Sequence, residues 1–201
     1  MIQALLIDFD GVLRIWNRDN DRRAEEVVGL PTDAIRHVAF APDILMPAIT
    51  GRISDAEWRS TIVARLCRQF PHVDAQQAVG LWSASPGTID HAVLDVLRRC
   101  RKKTQIVLIT NATSRLPQDL QQLSLVDEFD HVINSSVVGA AKPDSAIFKA
   151  ALEAAKVPPS AALFIDDTPG YIPAATELGI IGHVYQDVGQ LTQLLQTYAL
   201  L

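Results

Sequence analysis

The chain is 201 residues long, enough for one medium-sized domain or for a core carrying a small insert. Apolar residues supply 48% of it and charged residues 20%, a balance that excludes a disordered polymer. The formal net charge of −5 argues against a nucleic-acid partner. The densest basic run, Arg98-Arg99-Cys100-Arg101-Lys102-Lys103, falls at the end of a predicted helix, where cations complement the helix dipole. No apolar stretch approaches the ~18 residues that span a membrane. The first residues lack a basic start, and Asp8 and Asp10 interrupt their apolar run. No signal peptide, no membrane partner and a cytoplasmic location are therefore expected. Cys67 and Cys100 fit no metal or redox spacing and are expected as buried, reduced thiols. The histidines (His37, His72, His91, His131, His183) are scattered, with structural roles expected for all of them. Nothing in the sequence speaks to oligomeric state.

Residues 3–9 form an apolar run without polar alternation, the pattern of a strand buried on both faces of a parallel sheet. Similar runs follow at 105–110, 131–134, 161–166 and 180–185, with helical patterns between them. Ile89, Val93, Val96, Leu97 and Cys100 make one stripe at helical spacing, and Leu116, Leu120 and Leu123 make another. Pro143 is expected in the first turn of a helix carrying Ile147, Ala151 and Ala154. Leu191, Leu194, Leu195 and Tyr198 mark the last helix. Strand and helix alternate from residue 88 onward, which predicts a doubly wound α/β sheet of about five strands.

Residues 15–85 read differently. They contain no convincing strand and several short helical patterns. The clearest starts at Ser54, with Glu57 completing a capping box and Trp58, Ile62, Leu66 and Phe70 as its apolar face. A βα connection normally needs 2–6 residues around its helix, so a stretch of about 70 is an inserted module. The expected division is a core of residues 1–14 and 86–201 with a small helical cap at 15–85. The insert leaves just after Asp8 and Asp10, at the C-terminal edge of the sheet, where open α/β folds bind ligands. There it can act as a lid.

Polar residues gather at the ends of the predicted strands. Asp8 and Asp10 end the first, Thr110 and Asn111 the second, Asp166 and Asp167 the fourth, and Lys142 precedes the third core helix. Any one Asp after a strand serves equally well as a helix cap or turn residue. Four converging on one edge is harder to explain as structure. Two carboxylates ~4 Å apart repel by about 4 kcal/mol at an effective dielectric of 20. Lys142 offers one compensating charge and a divalent cation two. Hard oxygen ligands suit Mg²⁺, which takes one or two carboxylates together with substrate phosphate.

In order, Asp8-Phe9-Asp10-Gly11-Val12, then Thr110-Asn111, then Lys142-Pro143, then Phe164-Ile165-Asp166-Asp167 resemble the four motifs of the haloacid dehalogenase-like (HAD) hydrolases. The resemblance covers the whole core, and the position of the insert matches that family's type I helical cap. It implies a Rossmann-like fold and an aspartyl-phosphate mechanism. Asp8 would be the nucleophile and Asp10 the general acid/base. Thr110, Asn111, Lys142 and Gly11 would hold the phosphoryl group. Asp8, the backbone carbonyl of Asp10, Asp166 and Asp167 would ligate Mg²⁺. Asp10 favours a phosphatase over a dehalogenase, because a halide leaves without needing a proton. One departure stands out: Tyr171 occupies a place where many relatives carry Asn.

The substrate implied is a small phosphorylated metabolite, such as a sugar phosphate, because a large one would block closure of the insert. Arg14 and Trp16 follow the first motif and can line the substrate entrance. The alternative is that Trp16 packs at the hinge while Arg14 sits in solvent. Trp58 and Trp82 read as core of the insert. A 2-haloacid dehalogenase, a phosphosugar mutase and a non-catalytic ligand-binding module on the same fold remain the competing readings.

Overall fold

In the computed structural model, which describes residues 1–201, the first apolar run becomes β1 (Ala4–Ile7), buried along its whole length. The chain then forms β2 (Arg14–Ile15), five helices, and β3 (Thr88–Ile89), which pairs antiparallel with β2. The five helices are α1 (Arg18–Val28), α2 (Ala34–Ala39), α3 (Pro42–Ile49), α4 (Asp55–Gln69) and α5 (Ala75–Trp82). Helix and strand then alternate through α6 (His91–Cys100), β4 (Gln105–Thr110), α7 (Leu116–Gln122) and β5 (His131–Asn134). The short α8 (Ser135–Val138) and then α9 (Ser145–Ala155) lead into β6 (Ala162–Asp166). The chain ends with α10 (Ile172–Glu177), β7 (Ile181–Val184) and α11 (Val188–Thr197).

The main sheet has five strands in the order β5-β4-β1-β6-β7, all parallel. Its strands bury alternate residues on opposite faces. Leu5, Ile7, Ile106, Leu108, Leu163 and Ile165 face one core, shared with α6, α7 and α11. Ala4, Leu6, Val107, Ile109, Ala162 and Phe164 face the other, shared with α9 and α10. Covering on both faces is why these strands read as continuous apolar runs. On the second face Phe148 of α9 meets Phe164 edge-on, with ring centroids 5.1 Å apart.

The helices of residues 18–82 enclose a third apolar cluster built on Ile35, Val38, Trp58, Ile62, Leu66 and Val79. Within it α1 packs on α5, and α2 and α3 pack on α4. The Ser54–Glu57 capping box is formed in both directions. Polar bonds tie this layer to the sheet side. The Thr113 hydroxyl donates to Asp55 at 2.8 Å, the Asp55 amide to the Ser114 hydroxyl at 2.9 Å, and Arg115 to the Ser83 carbonyl at 2.6 Å.

Three local features differ from the sequence reading. The β2–β3 ribbon gives two residues per strand, too few for a periodic signal. Helix α9 starts at Ser145, with the Asp144 side chain capping Ala146, so Pro143 precedes the helix instead of lying in its first turn. Cys100 is buried, but Cys67 is exposed, because the buried stripe of α4 runs through Trp58, Ile62 and Leu66 and the next position turns outward. No helix is long and apolar enough to cross a membrane.

One buried acid organises the helical layer. The residue before α2, Asp33, is in the left-handed region at φ 64°, and its side chain caps nothing. Glu25 of α1, 1% exposed, does that work instead, accepting from the amides of Asp33 at 2.8 Å and Ile35 at 2.9 Å. Replacing Glu25 with Ala leaves two amide donors without their acceptor and should cost about 2–3 kcal/mol. In a chain of this size that is a drop of roughly 4–12 °C in Tm, read by thermal unfolding. Glu25→Gln, with one acceptor oxygen left, should recover part of the loss.

Candidate active site

The parallel register determines which side chains meet. Ile7 of β1 is aligned with Leu108 of β4 and with Ile165 of β6. One residue further on, Asp8 and Asp166 leave neighbouring strands at the same level. Thr110 ends β4 on the other side of β1 and is buried. Asp8 accepts from the Phe9 amide at 2.7 Å. Lys142 reaches this edge from the loop before α9. Its Nζ lies 2.7 Å from Asp8 Oδ1 and 2.6 Å from Asp166 Oδ2, and donates to the Ile109 carbonyl at 3.2 Å. All three ammonium donors are thereby occupied in a side chain only 1% exposed. The other Asp166 oxygen accepts from the Thr168 amide at 2.8 Å.

Asp8, Asp166 and Asp167 each present a carboxylate oxygen within 4.8 Å of the others. Three carboxylates around one ammonium leave about two negative charges uncompensated. Burial pushes the Asp8 carboxyl up to about 7; the Lys142 charge pulls it down and the Asp166 charge raises it. Burial also opposes the charge on Lys142, yet the two carboxylates beside it hold its pKa above the ordinary lysine value. Asp167 is raised by burial and then by the charge of Asp166. A set of hard oxygen donors short of positive charge fits a divalent cation.

The remaining expected residues take up different positions. Gly11 has φ +85°, and a Cβ there would collide with the Asp167 carboxylate, so only glycine suits this turn. Asn111 spends its amide on the loop that carries Lys142: Oδ1 accepts from the Lys142 amide at 2.7 Å and Nδ2 donates to the Lys142 carbonyl at 3.0 Å. Tyr171 places its ring 5.3 Å from Lys142 Nζ, and its hydroxyl lies 3.4 Å from Asn111 Nδ2.

The Asp10 carboxylate belongs to a second network. Arg14 grips it with Nε at 2.6 Å from Oδ1 and Nη2 at 2.9 Å from Oδ2, and Trp16 Nε1 donates to Oδ1 at 2.7 Å. Arg14 is buried, not solvated, with its guanidinium over the rings of Phe9 and Trp16. Its Nη1 donates to Asp119 of α7 at 2.9 Å, and Asp119 also accepts from Arg115 at 2.7 Å. The sequence reading missed Asp119 and Arg115. The available signal was an acid beside the Leu116–Leu120 stripe of α7, where a solvated face offers no reason for burial.

Asp10, Arg14, Trp16 and Asn111 open onto a cavity of about 310 Å³ between the sheet edge and the helical layer. Trp58 and Trp82, which stack edge-on with centroids 5.8 Å apart, serve both the apolar cluster of the helical layer and the wall of this cavity.

The family model for haloacid dehalogenase-like hydrolases matches residues 2–179. A phosphatase of Mycobacterium tuberculosis is 35% identical, over 94% of this chain and 89% of the relative. The D-ribitol-5-phosphate phosphatase of Bacteroides thetaiotaomicron is 26% identical, over 89% of each chain. A HAD family enzyme of Bacteroides thetaiotaomicron, solved in complex with magnesium and inorganic phosphate, superposes with a TM-score of 0.76 at 26% identity, covering 95% of this chain and 99% of that one. The chain spans only 29–42% of the length of several mammalian curated relatives that it matches.

The electrostatics of Asp8 can be read directly. In protein free of divalent cations, carboxyl ¹³C NMR should find Asp8 titrating near 7. In Lys142→Met the favourable ammonium is gone and the value should move higher. An Asp8 pKa near the ordinary ~3.9 in the unsubstituted protein would mean that its carboxylate is not desolvated.

Proposed function

We propose that this protein, which belongs to the haloacid dehalogenase-like hydrolase family, is a Mg²⁺-dependent phosphatase that hydrolyses a small phosphorylated metabolite through an aspartyl-phosphate on Asp8. The observation that carries the reading is the buried Asp8 carboxylate paired with Lys142 at the end of the central strand, with Asp166 and Asp167 alongside. Phosphatase-named relatives over most of the chain support it, one of them acting on a sugar-alcohol phosphate by its name.

In this reading Asp8 Oδ attacks phosphorus while the bond to the leaving alcohol oxygen breaks. Asp10 supplies the proton that the departing alkoxide needs. Water then attacks the aspartyl-phosphate, Asp10 takes its proton, the phosphorus–Asp8 bond breaks, and inorganic phosphate leaves with the Asp8 carboxylate restored. Lys142 stays charged throughout, because its two carboxylate neighbours favour the ammonium form. It balances Asp8 in the resting state and the phosphoryl oxygens in transfer. Thr110 lies at the edge where those oxygens would sit, and Gly11 lets the backbone come close. Asn111 holds the Lys142 loop at that edge. Asp8, Asp166, Asp167 and the Asp10 backbone carbonyl would hold Mg²⁺, which supplies the charge that orients and neutralises the phosphoryl group. Asp10 gives up its bonds to Arg14 and Trp16 to reach the leaving oxygen. With an inserted module at residues 15–85, the chain would enter it just beyond Asp10, through β2.

Hydrolysis of an aryl phosphate should require added Mg²⁺ and fall by about 10³-fold or more in Asp8→Asn. Asp10→Asn should slow turnover of an alkyl phosphate by roughly 10²–10⁴-fold, because that leaving group depends most on a proton donor. Metal-independent hydrolysis, or an unaffected Asp8→Asn variant, would overturn the reading.

A further inference from the structure

The cavity that Asp10 and Asn111 line is balanced in charge. Its walls carry four aspartates and four arginines and no lysine, glutamate or histidine, so its formal charge is zero. Each arginine is matched on the spot. Arg14 is held by Asp10 and Asp119, Arg115 by Asp119, and Arg59 by Asp55. Arg36 lies 3.6 Å from Asp21, the loosest of these pairs, with its guanidinium 4.7 Å over the Phe40 ring.

Most of the neutral polar groups are committed as well; Ser85 Oγ accepts from the Gly87 amide and keeps its own donor. Thr113 donates to Asp55, Ser83 receives Arg59 and donates to the Val79 carbonyl, and both ends of the Asn111 amide are used on Lys142. What remains facing the space is mostly apolar: the rings of Trp16, Phe40, Trp58 and Trp82, and the side chains of Leu45 and Ile49, with the Ser85 hydroxyl and the Trp82 indole N–H as its few free donors. A second phosphate or a carboxylate on the substrate would meet no free cation. It could bind only by breaking an existing pair and leaving an aspartate without its partner. A chain of hydroxyls would find few partners and would lose its own hydration. A flat apolar group loses nothing by entering and gains ring contacts with the walls. A volume of about 310 Å³ is at the small end of ligand pockets, enough for one ring system.

We infer that the cavity is a leaving-group site for an uncharged, ring-bearing alcohol, so that the preferred substrate is the phosphate monoester of such an alcohol, not a polyol phosphate or a bisphosphate. The inference rests on the phosphatase reading and narrows its substrate. Phe40, Trp16 and Trp82 are the specificity-determining residues for that alcohol, and the Arg36–Asp21 pair is what turns anionic groups away.

The test compares KM for three alkyl phosphates with primary alcohol leaving groups: 2-phenylethyl phosphate, glycerol 3-phosphate and the carboxylate-bearing 3-phosphoglycerate. Acetyl phosphate, whose leaving group is too small to use the cavity walls, reports on the core chemistry alone. The expected result is a KM for 2-phenylethyl phosphate at least roughly tenfold below that of glycerol 3-phosphate, with 3-phosphoglycerate the poorest of the three. Phe40→Ala should shrink the first ratio several-fold. Asp21→Asn, by freeing Arg36, should lower KM for 3-phosphoglycerate several-fold, a gain that loss of folding cannot imitate. Turnover of acetyl phosphate together with equal KM values, or with a preference for glycerol 3-phosphate or 3-phosphoglycerate, overturns the inference and leaves the phosphatase reading standing. No Mg²⁺-dependent turnover of acetyl phosphate overturns the phosphatase reading itself.

Discussion

Everything at the sheet edge is arranged around one ammonium group. Lys142 Nζ sits between Asp8 and Asp166, which leave adjacent parallel strands at the same register level. Without it, two buried carboxylates would face each other in a place that water barely reaches, and one would have to take up a proton. Even with Lys142 present, burial pushes Asp8 up to about 7. The fold holds the lysine in this arrangement from both its head and its backbone. Its three donors are used, and the Asn111 amide clamps its backbone from both sides.

The same constraint explains where the sequence spends its irregular residues. A parallel sheet brings strand ends together at one edge, so acids after β1 and β6 converge without any local sequence relation between them. Gly11 follows because the chain must turn away from the sheet against the Asp167 carboxylate, where no side chain fits. The helical layer then hangs from the two-residue strands β2 and β3. It is fastened to the sheet side by Thr113, Ser114 and Arg115, all on the segment that follows Thr110. One connection therefore carries the buried strand-end residue Thr110, the clamp Asn111 and the fastening of the helical layer.

Much of this was legible in the sequence, and the reason is physical. Strands buried on both faces leave unbroken apolar runs, and five of these mark the five strands of the sheet. Acids that end such runs are conspicuous because nothing else polar surrounds them. What escaped was whatever depends on pairing across the fold. The sequence offered Arg14 as a residue of the substrate entrance or as a solvated side chain. It is buried because two aspartates over a hundred positions apart, Asp10 and Asp119, share it between two aromatic rings. Asn111 carried a motif position, but its amide turns to Lys142, a contact set by the meeting of two loops. Cys67 sat beside an apolar stripe, and one residue step on a helix was enough to expose it.

The Asp10–Arg14–Asp119 chain adds a condition on the proposed chemistry. An acid that donates a proton and takes it back must alternate between a neutral and a charged form, and a guanidinium gripping both of its oxygens stabilises only the charged one. In the proposed chemistry Asp10 would leave Arg14 before acting at the leaving group. A buried arginine that lost its sole partner would be left as an uncompensated charge. Here it keeps Asp119, so the cost of freeing Asp10 is reduced by a second carboxylate already in place. Arg14 also lies in β2, on the ribbon that joins the sheet to the helical layer. A shift of that ribbon moves the guanidinium relative to Asp10, and through Trp16 it moves a wall of the cavity as well. In the proposed chemistry, occupation of the cavity and release of Asp10 would thus be joined through Arg14 and Trp16, which both hold Asp10 and line the cavity.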